Sequence, residues 1–467
     1  MKVGLLNLGC PKNLVDGEVM LGLAHRAGHD VTPAAADADV LIVNTCAFID
    51  RAKQESIDAI LEMAQLKREN GARRLVVTGC LAERYRDDLL REIPEIDEIL
   101  GTGEVPRIVE ALEGRARGAE SGTAVPLTFV RASHAAPRTP APALRTPPTY
   151  LYGAETPRVQ TTPRHFAYIK IAEGCDYTCA FCIIPTLRGQ YRSRTSDSVV
   201  TEARALAARG VKELLLISQD TTFYGNDRGE RGALARLLRE LNGIDGLEWI
   251  RLLYLYPTTI TDDVLDAMAE CEKVCRYVDL PLQHASAAVL KRMRRPGNRT
   301  KYDALLDRIR TRVPGVALRT TFIVGFPGES DDEFAELERF VEDVRFDHVG
   351  VFTYSHEEGT RAHAAIDDVP AATKRSRRDR IMTRQQRIVA DRQASRVGEE
   401  VAVLIDGPSA EHELVLQGRL EGQAPDIDPG VYLTDCDPSM YGPGQLIRGR
   451  IVGSKEYDLI VAPLAAR

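Results

Sequence analysis

The chain has 467 residues, 44% of them hydrophobic and 28% charged, a length that exceeds one ordinary domain and composition typical of a globular protein. Its net charge of −7 excludes a global attraction to nucleic acid and makes a basic protein the easier macromolecular partner. No apolar run approaches the roughly 20 residues that cross a bilayer, the start "MKVGLLNLGCPKNLVDGE" lacks a signal-peptide cleavage pattern, and nine cysteines, an odd number, favour a reducing compartment over a disulfide framework; the expectation is a cytoplasmic protein with no membrane attachment.

Along the chain, residues 3–10, 39–46 and 74–80 ("VGLLNLGC", "DVLIVNTC", "RLVVTGC") read as short buried strands, with helical stretches at roughly 52–69 and 83–91. That alternation predicts an α/β fold that starts with an open parallel sheet over residues 1–115. Residues 116–160 are rich in Pro, Ala and Thr and read as a linker. A second β–α series spans 161–392, with strands expected at 167–174, 213–220, 250–257, 277–283, 318–327 and 348–355. Six strands with crossovers fall short of a closed eight-stranded barrel, so a partial (β/α)6 barrel is predicted, with chemistry at its C-terminal strand ends. A charged helix at about 371–396 leads into 396–466. There "EEVAVLIDG", "ELVLQGRL", "GVYLTD", "LIRGRIVGS" and "DLIVAPL" predict a small antiparallel β-barrel.

The densest chemical signal is "EGCDYTCAFCIIPTLRG" at 173–189, in which Cys175, Cys179 and Cys182 follow a predicted strand at once. Three thiolates at this spacing do not complete a tetrahedral zinc site, but they can hold three irons of a [4Fe–4S] cube and leave the fourth open. A zinc site completed by a distant residue, or three unrelated cysteines, are the alternatives. A second set is more dispersed: Cys10, Cys46 and Cys80 each end one of the N-terminal strands. Parallel strands bring such ends together where open α/β sheets bind ligands, which favours a second cluster over three buried, inert thiols.

The Cys-x3-Cys-x2-Cys run, with the aromatic Phe181 before its third cysteine, resembles the radical SAM enzymes. With the second triplet and the C-terminal barrel, nearly the whole chain is similar to the radical SAM methylthiotransferase family, whose C-terminal barrel is a TRAM domain. The resemblance implies two [4Fe–4S] clusters, S-adenosyl-L-methionine (SAM) bound at the open iron of the first, and insertion of a methylthio group at an unactivated C–H bond. It implies cofactor contacts from Phe181, from Ser218 and Gln219 in "ISQD", from Gln283 beside His284 in "DLPLQHAS", and from Gly325, Gly328 and Glu329 in "VGFPGE", whose glycines allow close backbone approach to the nucleoside; ordinary turn chemistry is the alternative for the strand-end residues. His356 and Glu357, past the sixth strand, stand as either cavity or turn residues.

Within the family, "LGCPKNLVDGE", "NTCAFIDRAKQESID", "ISQDTTFYG" and "TYSHEEGTRA" resemble the branch that modifies an aspartate β-carbon of the twelfth small-subunit ribosomal protein. The tRNA-modifying branch typically carries "GCQMN" and "GQNVN", and this chain has neither. Charge points the same way: from Asp391 onward there are 13 acidic and 7 basic residues, net −6, which suits a basic protein better than an RNA backbone. Two basic runs, "KRMRRPGNR" (291–299) and "KRSRRDR" (374–380), run counter to this and read first as solvated helix faces. The remaining expectations are a monomer and an external reductant such as flavodoxin or ferredoxin. In the implied mechanism, electron transfer at Cys175, Cys179 and Cys182 cleaves SAM, while Cys10, Cys46 and Cys80 hold the sulfur to be delivered.

Overall fold

A strand buried on both faces must be apolar along its whole length, and the N-terminal sheet obeys this: every residue of "VLIVNT" is buried. The computed structural model describes residues 1–70, 74–114, 148–410 and 412–464. Its first sheet is formed by β1 (Lys2–Asn7), β2 (Asp30–Thr32), β3 (Val40–Thr45), β4 (Arg74–Gly79) and β5 (Glu98–Leu100), in the order β2-β1-β3-β4-β5 and parallel throughout. The crossovers include α1 (Pro11–Arg26), α2 (Asp50–Asn70) and α3 (Cys80–Glu92), and α4 (Ile108–Glu113) follows β5. Pro11 sits in the first turn of α1, where its missing N–H costs nothing. The two edge strands β2 and β5 escape the sequence reading because three residues are too few to show a period.

The chain divides into two units. The N-terminal one comprises residues 1–150, 156–159 and 183–190; the other comprises 151–155, 160–182 and 191–467. Of the predicted linker, 116–147 lie outside the described residues. The part from 148 to 160 forms no helix or strand but is not loose: Tyr152 is buried with its hydroxyl on Glu202, and Arg158 pairs at 2.6 Å with the fully buried Glu18.

In the second unit, β6 (Phe166–Lys170) is followed by the two-residue strands β7 (Ala172–Glu173) and β8 (Arg192–Ser193), with α5 (Ile184–Arg188) between them in sequence. The barrel then continues through α6 (Ser196–Ala208), β9 (Glu213–Ile217), α7 (Ala233–Asn242), β10 (Trp249–Leu252), α8 (Asp262–Glu270), β11 (Tyr277–Asp279), α9 (Ala287–Arg292), α10 (Arg299–Arg312), β12 (Ala317–Val324), α11 (Asp331–Val344) and β13 (His348–Thr353). All six strands β6, β9, β10, β11, β12 and β13 run parallel, as two three-stranded sheets. The seam between β10 and β11 is bridged where Cys275 donates to the Ile250 carbonyl at 2.9 Å and Ile250 donates to Lys273. Helices cover the outside, and Leu214, Leu216, Ile250, Leu252, Val278 and Leu318 lie in one continuous core with them. This is the partial barrel expected from the alternation of strands and helices.

The long helix α12 (Ala371–Arg396) leads to β14 (Glu400–Pro408), β15 (Leu416–Arg419), β16 (Val431–Leu433), β17 (Leu446–Lys455) and β18 (Asp458–Pro463), which close into a barrel. Four of its pairings are antiparallel and the β16–β18 pairing is parallel. A buried ionic network fixes this barrel to the larger one: Glu213 takes Arg251 at 2.7 Å and Arg419 at 2.5 Å, and Asp428 takes the Tyr277 hydroxyl at 2.6 Å. Among the described residues no helix is long and apolar enough to cross a membrane.

Candidate functional site: two cysteine triads

The N-terminal triad is assembled by register. Asn7 of β1 pairs with Asn44 of β3, and Asn44 pairs with Thr78 of β4. Cys10, Cys46 and Cys80 follow these three residues by two or three positions, so all three leave neighbouring strands at the same edge. Cys10 precedes the first turn of α1 and Cys80 opens α3. Gly9, at φ +88°, is needed there, since a Cβ on it would lie 2.7 Å from the Cys46 Cβ. Asn13 ties the edge together by donating to the carbonyls of Leu8 (3.1 Å) and Thr45 (2.7 Å).

One cation serves this triad. Arg188, itself buried, donates to the Asn13 side chain at 2.6 Å, pairs with Asp16 at 2.9 Å and brings Nη2 within 3.8 Å of the Cys80 sulfur. Burial pushes the Cys80 thiol up to about 12 against the pull of Arg188. Burial, with Cys10 next to it, also raises Cys46. Charge on these sulfurs is therefore costly until a cation compensates it.

The second triad is local. Cys175, Cys179 and Cys182 lie in the irregular segment after β7, and each is half-buried. The loop is pinned at its middle: Ala180 donates to the Met293 carbonyl and accepts from the Ala362 amide, both at 2.8 Å. Phe181 packs against the apolar cluster of Val289, Met293, Phe326 and Tyr354. Tyr177, between the first two cysteines, stacks on Tyr256 at 3.9 Å and donates to Asp220 at 2.8 Å. Asp220 also accepts from Thr259 (3.0 Å) and Thr222 (2.5 Å), although burial raises its carboxyl. Burial likewise lifts the Cys175 thiol to about 11. Arg295 places Nη1 at 3.8 Å from the Cys179 sulfur and its guanidinium 4.3 Å from the Tyr256 ring.

Among the described residues no three His, Cys, Asp or Glu side chains are gathered to hold a single metal ion. Three thiolates at loop or strand-end spacing are a donor set able to hold an iron–sulfur cluster. The other three cysteines lie apart: Cys271 and Cys275 are buried around β10 and β11, and Cys436 is in the C-terminal barrel.

The remaining expected cofactor residues divide. Gln219, two residues past the end of β9, donates to Glu173 at 2.7 Å while its Oε1 is buried without a partner. Gln283 is half-buried, with backbone at φ +71°, an uncommon geometry for a non-glycine residue held there by pairing to Thr321 and Ile323. Both remain able to meet a ligand. Ser218 is wholly buried against Thr221, so the polar group that β9 offers is Gln219. Gly325 is required by the chain's own packing, since a Cβ on it would sit 2.3 Å from the Lys374 stem, whereas a Cβ on Gly328 would meet nothing nearer than Arg292 Nε at 3.7 Å, and the Gly328 amide donates to Asp368. Glu329 also serves the chain, accepting from the Gly325 amide and pairing with Arg377 at 2.8 Å.

His284 is fully buried, accepts from the Ser286 amide, is lowered to about 3 by burial, and keeps its Nε2 without a hydrogen-bond partner. His356 stacks near His363 (4.4 Å), and Glu357 is buried as a turn residue bonded to Ser355 and Thr360. Tyr177, Asp220, Arg188 and Arg295 were not singled out by sequence. Tyr177 lies inside the cysteine motif and Asp220 completes "ISQD", so position could have found them. Arg295 is hidden in a basic run that reads as solvated, and Lys374 and Arg377 of the other run are likewise buried.

Family models match three segments of the chain. Residues 2–101 match the uncharacterized protein family UPF0004, 169–341 the radical SAM superfamily and 397–463 the TRAM domain. The chain is 46% identical over 459 residues to a protein named ribosomal protein uS12 methylthiotransferase RimO from Geotalea uraniireducens (98% of this chain, 97% of the relative). It is 47% identical to that of Syntrophotalea carbinolica (98% and 96%). Among solved structures, the radical SAM methyltransferase TsrM from Kitasatospora setae shares the fold, with a TM-score of 0.52 at 17% identity over 75% of this chain and 72% of that one.

Proposed function

The chain belongs to the RimO family of ribosomal protein uS12 methylthiotransferases, and from that premise we propose that it adds a methylthio group to the β-carbon of an aspartate of uS12. The observation that carries the proposal is the pair of triads, one gathered from the ends of three neighbouring strands and the other on a single loop after β7, with no fourth cysteine beside either among the described residues. A methyltransferase or a simple radical isomerase would have no use for the second.

The donor sets fit [4Fe–4S] clusters: soft thiolates only, in groups of three, with buried polar atoms left over around the local triad. Cys175, Cys179 and Cys182 would hold one cluster and Cys10, Cys46 and Cys80 another. Bound at the first, SAM would supply the one-electron chemistry that opens an unactivated C–H bond, which no side-chain base can do.

The chain's own residues do the positioning. Glu173 fixes the Gln219 carboxamide so that Oε1 is presented as an acceptor, suited to the SAM ammonium. The Tyr177–Asp220–Thr259 bonds and the two backbone bonds of Ala180 hold the cysteine loop, so the three sulfurs keep their spacing when a cluster enters. Phe181 and its apolar neighbours exclude water from one side. Asn13 and Arg188 perform the same holding role at the other triad. The acidic C-terminal region, net −6, complements a basic ribosomal protein, and a one-electron donor such as flavodoxin or ferredoxin completes the reaction from outside.

The test is a reaction of the anaerobically reconstituted protein with SAM, a one-electron reductant and a uS12 peptide carrying the target aspartate, with total tRNA in parallel. The proposal predicts that the peptide gains the mass of a methylthio group in place of hydrogen. Modification of tRNA with none of uS12 would overturn it.

A further inference from the structure

Six arginines are buried among the described residues, and five of them face a carboxylate. Arg188 pairs with Asp16, Arg194 with Glu202, Arg251 with Glu213, Arg377 with Glu329 and Arg419 with Glu213 and Asp406. Arg295 is the exception. It is 9% exposed, yet its partners are the Pro281 carbonyl (2.6 Å), the face of Tyr256 and the Cys179 sulfur (3.8 Å), and its Nε is buried with no partner at all.

The turn after α9 aims it inward: Arg294 takes a left-handed φ of 54°, and Arg295 donates its amide back to Leu290 at 2.9 Å. A buried cation without a counter-anion is expensive to keep. A carbonyl and an aromatic face offset part of that cost, but neither carries a negative charge. Among the described residues, the ionisable ligand it reaches is the local triad, through the Cys179 sulfur at 3.8 Å.

Resting on the cluster assignment above, we propose that Arg295 is a positioning residue whose fixed positive charge sets the reduction poise of the cluster held by Cys175, Cys179 and Cys182. A thiolate-ligated [4Fe–4S] cube gains one electron from the external reductant and becomes more negative by one charge, with no bond made or broken in that step. A guanidinium beside a ligand sulfur favours the more negative state, both by charge and by an N–H directed at the sulfur. The contrast with Arg188 sharpens this. Its charge is shared with Asp16, so its pull on the Cys80 sulfur is partly offset and the electron uptake it favours there is weaker. The two clusters would therefore differ in poise, with electron uptake favoured at the one that cleaves SAM.

The experiment is a redox titration of the reconstituted full chain followed by electron paramagnetic resonance, with iron counted in every sample. Arg295→Met is expected to keep its iron and to lower the reduced-to-oxidised ratio at least tenfold at a fixed potential, which is 59 mV for a one-electron couple. The second cluster's titration stays in place, and Arg295→Lys recovers most of the shift. An unmoved potential in Arg295→Met at full iron, or equal shifts in the Met and Lys variants, overturns the proposal. If Arg295→Met loads no iron, loading becomes the readout: recovery in Arg295→Lys supports a charge role, and failure there as well overturns it. A Cys179→Ala chain that keeps its full iron would instead sink the cluster assignment, a result separable from either.

Discussion

The two cysteine triads reach the same donor set by opposite routes. Cys175, Cys179 and Cys182 lie within eight residues of sequence on one pinned loop. Cys10, Cys46 and Cys80 are spread over seventy residues and meet only because β1, β3 and β4 pair in one register. A one-residue slip in a strand reverses its faces, so the dispersed triad depends on a correctly folded sheet, whereas the local one depends on what holds its loop. Their electrostatics differ too, with a neutralised arginine at one and an unneutralised arginine at the other.

The largest effect that separates them is functional. Cys179→Ala is expected to abolish 5′-deoxyadenosine formation from SAM, and Cys46→Ala to spare it while ending methylthiolation. Chromatography of the nucleoside products with mass spectrometry of uS12 reads both. If Cys46→Ala also stopped cleavage, the division of labour would fail.

Next comes the arginine contrast. Arg188→Met takes from the buried Asp16 its 2.9 Å ion pair, a loss of about 3–5 kcal/mol, measurable by denaturant unfolding of the metal-free chain. Arg295→Met orphans no carboxylate and should cost clearly less. Equal losses would erase the distinction between the two.

Thiol reactivity in the metal-free chain gives a smaller difference. The thiolate is the reactive form, and its fraction rises about tenfold per pH unit until the thiol's own value is reached. With Cys80 buried and raised to about 12 and Cys175 half-buried and raised to about 11, Cys175 should alkylate faster at pH 8, as read by peptide mass spectrometry, and Cys80 should keep accelerating to higher pH. Faster labelling of Cys80 would contradict the burial argument. The smallest effect is that of Tyr177→Phe, which removes one bond to Asp220. It should cost about 1–2 kcal/mol and weaken SAM binding severalfold in calorimetry, with iron at the N-terminal triad unchanged.

The same contrast explains what could be read from sequence. The local triad announces itself by spacing, and the dispersed one by recurring at strand ends, so both were legible, as were the parallel sheets and the C-terminal barrel. Residues set by distant packing were not. Lys374 comes from α12 to fill the space at Gly325, so a glycine that suggested room for a nucleoside is required by the chain itself. Ser218 and Gln219 are adjacent in sequence, yet burial commits the first and leaves the second an open acceptor. Arg295 sits in a run of basic residues whose neighbours are solvated, and only the left-handed turn at Arg294 directs it inward. Charge runs show no such turn.

The claim on which the rest depends is that each triad holds its own iron–sulfur cluster. Iron and acid-labile sulfide per chain, measured after anaerobic reconstitution of the unaltered protein, Cys179→Ala and Cys46→Ala, test it most directly. About eight irons are expected in the unaltered chain and about four in each variant. About four in the unaltered chain, or loss of all iron from a single substitution, would contradict it.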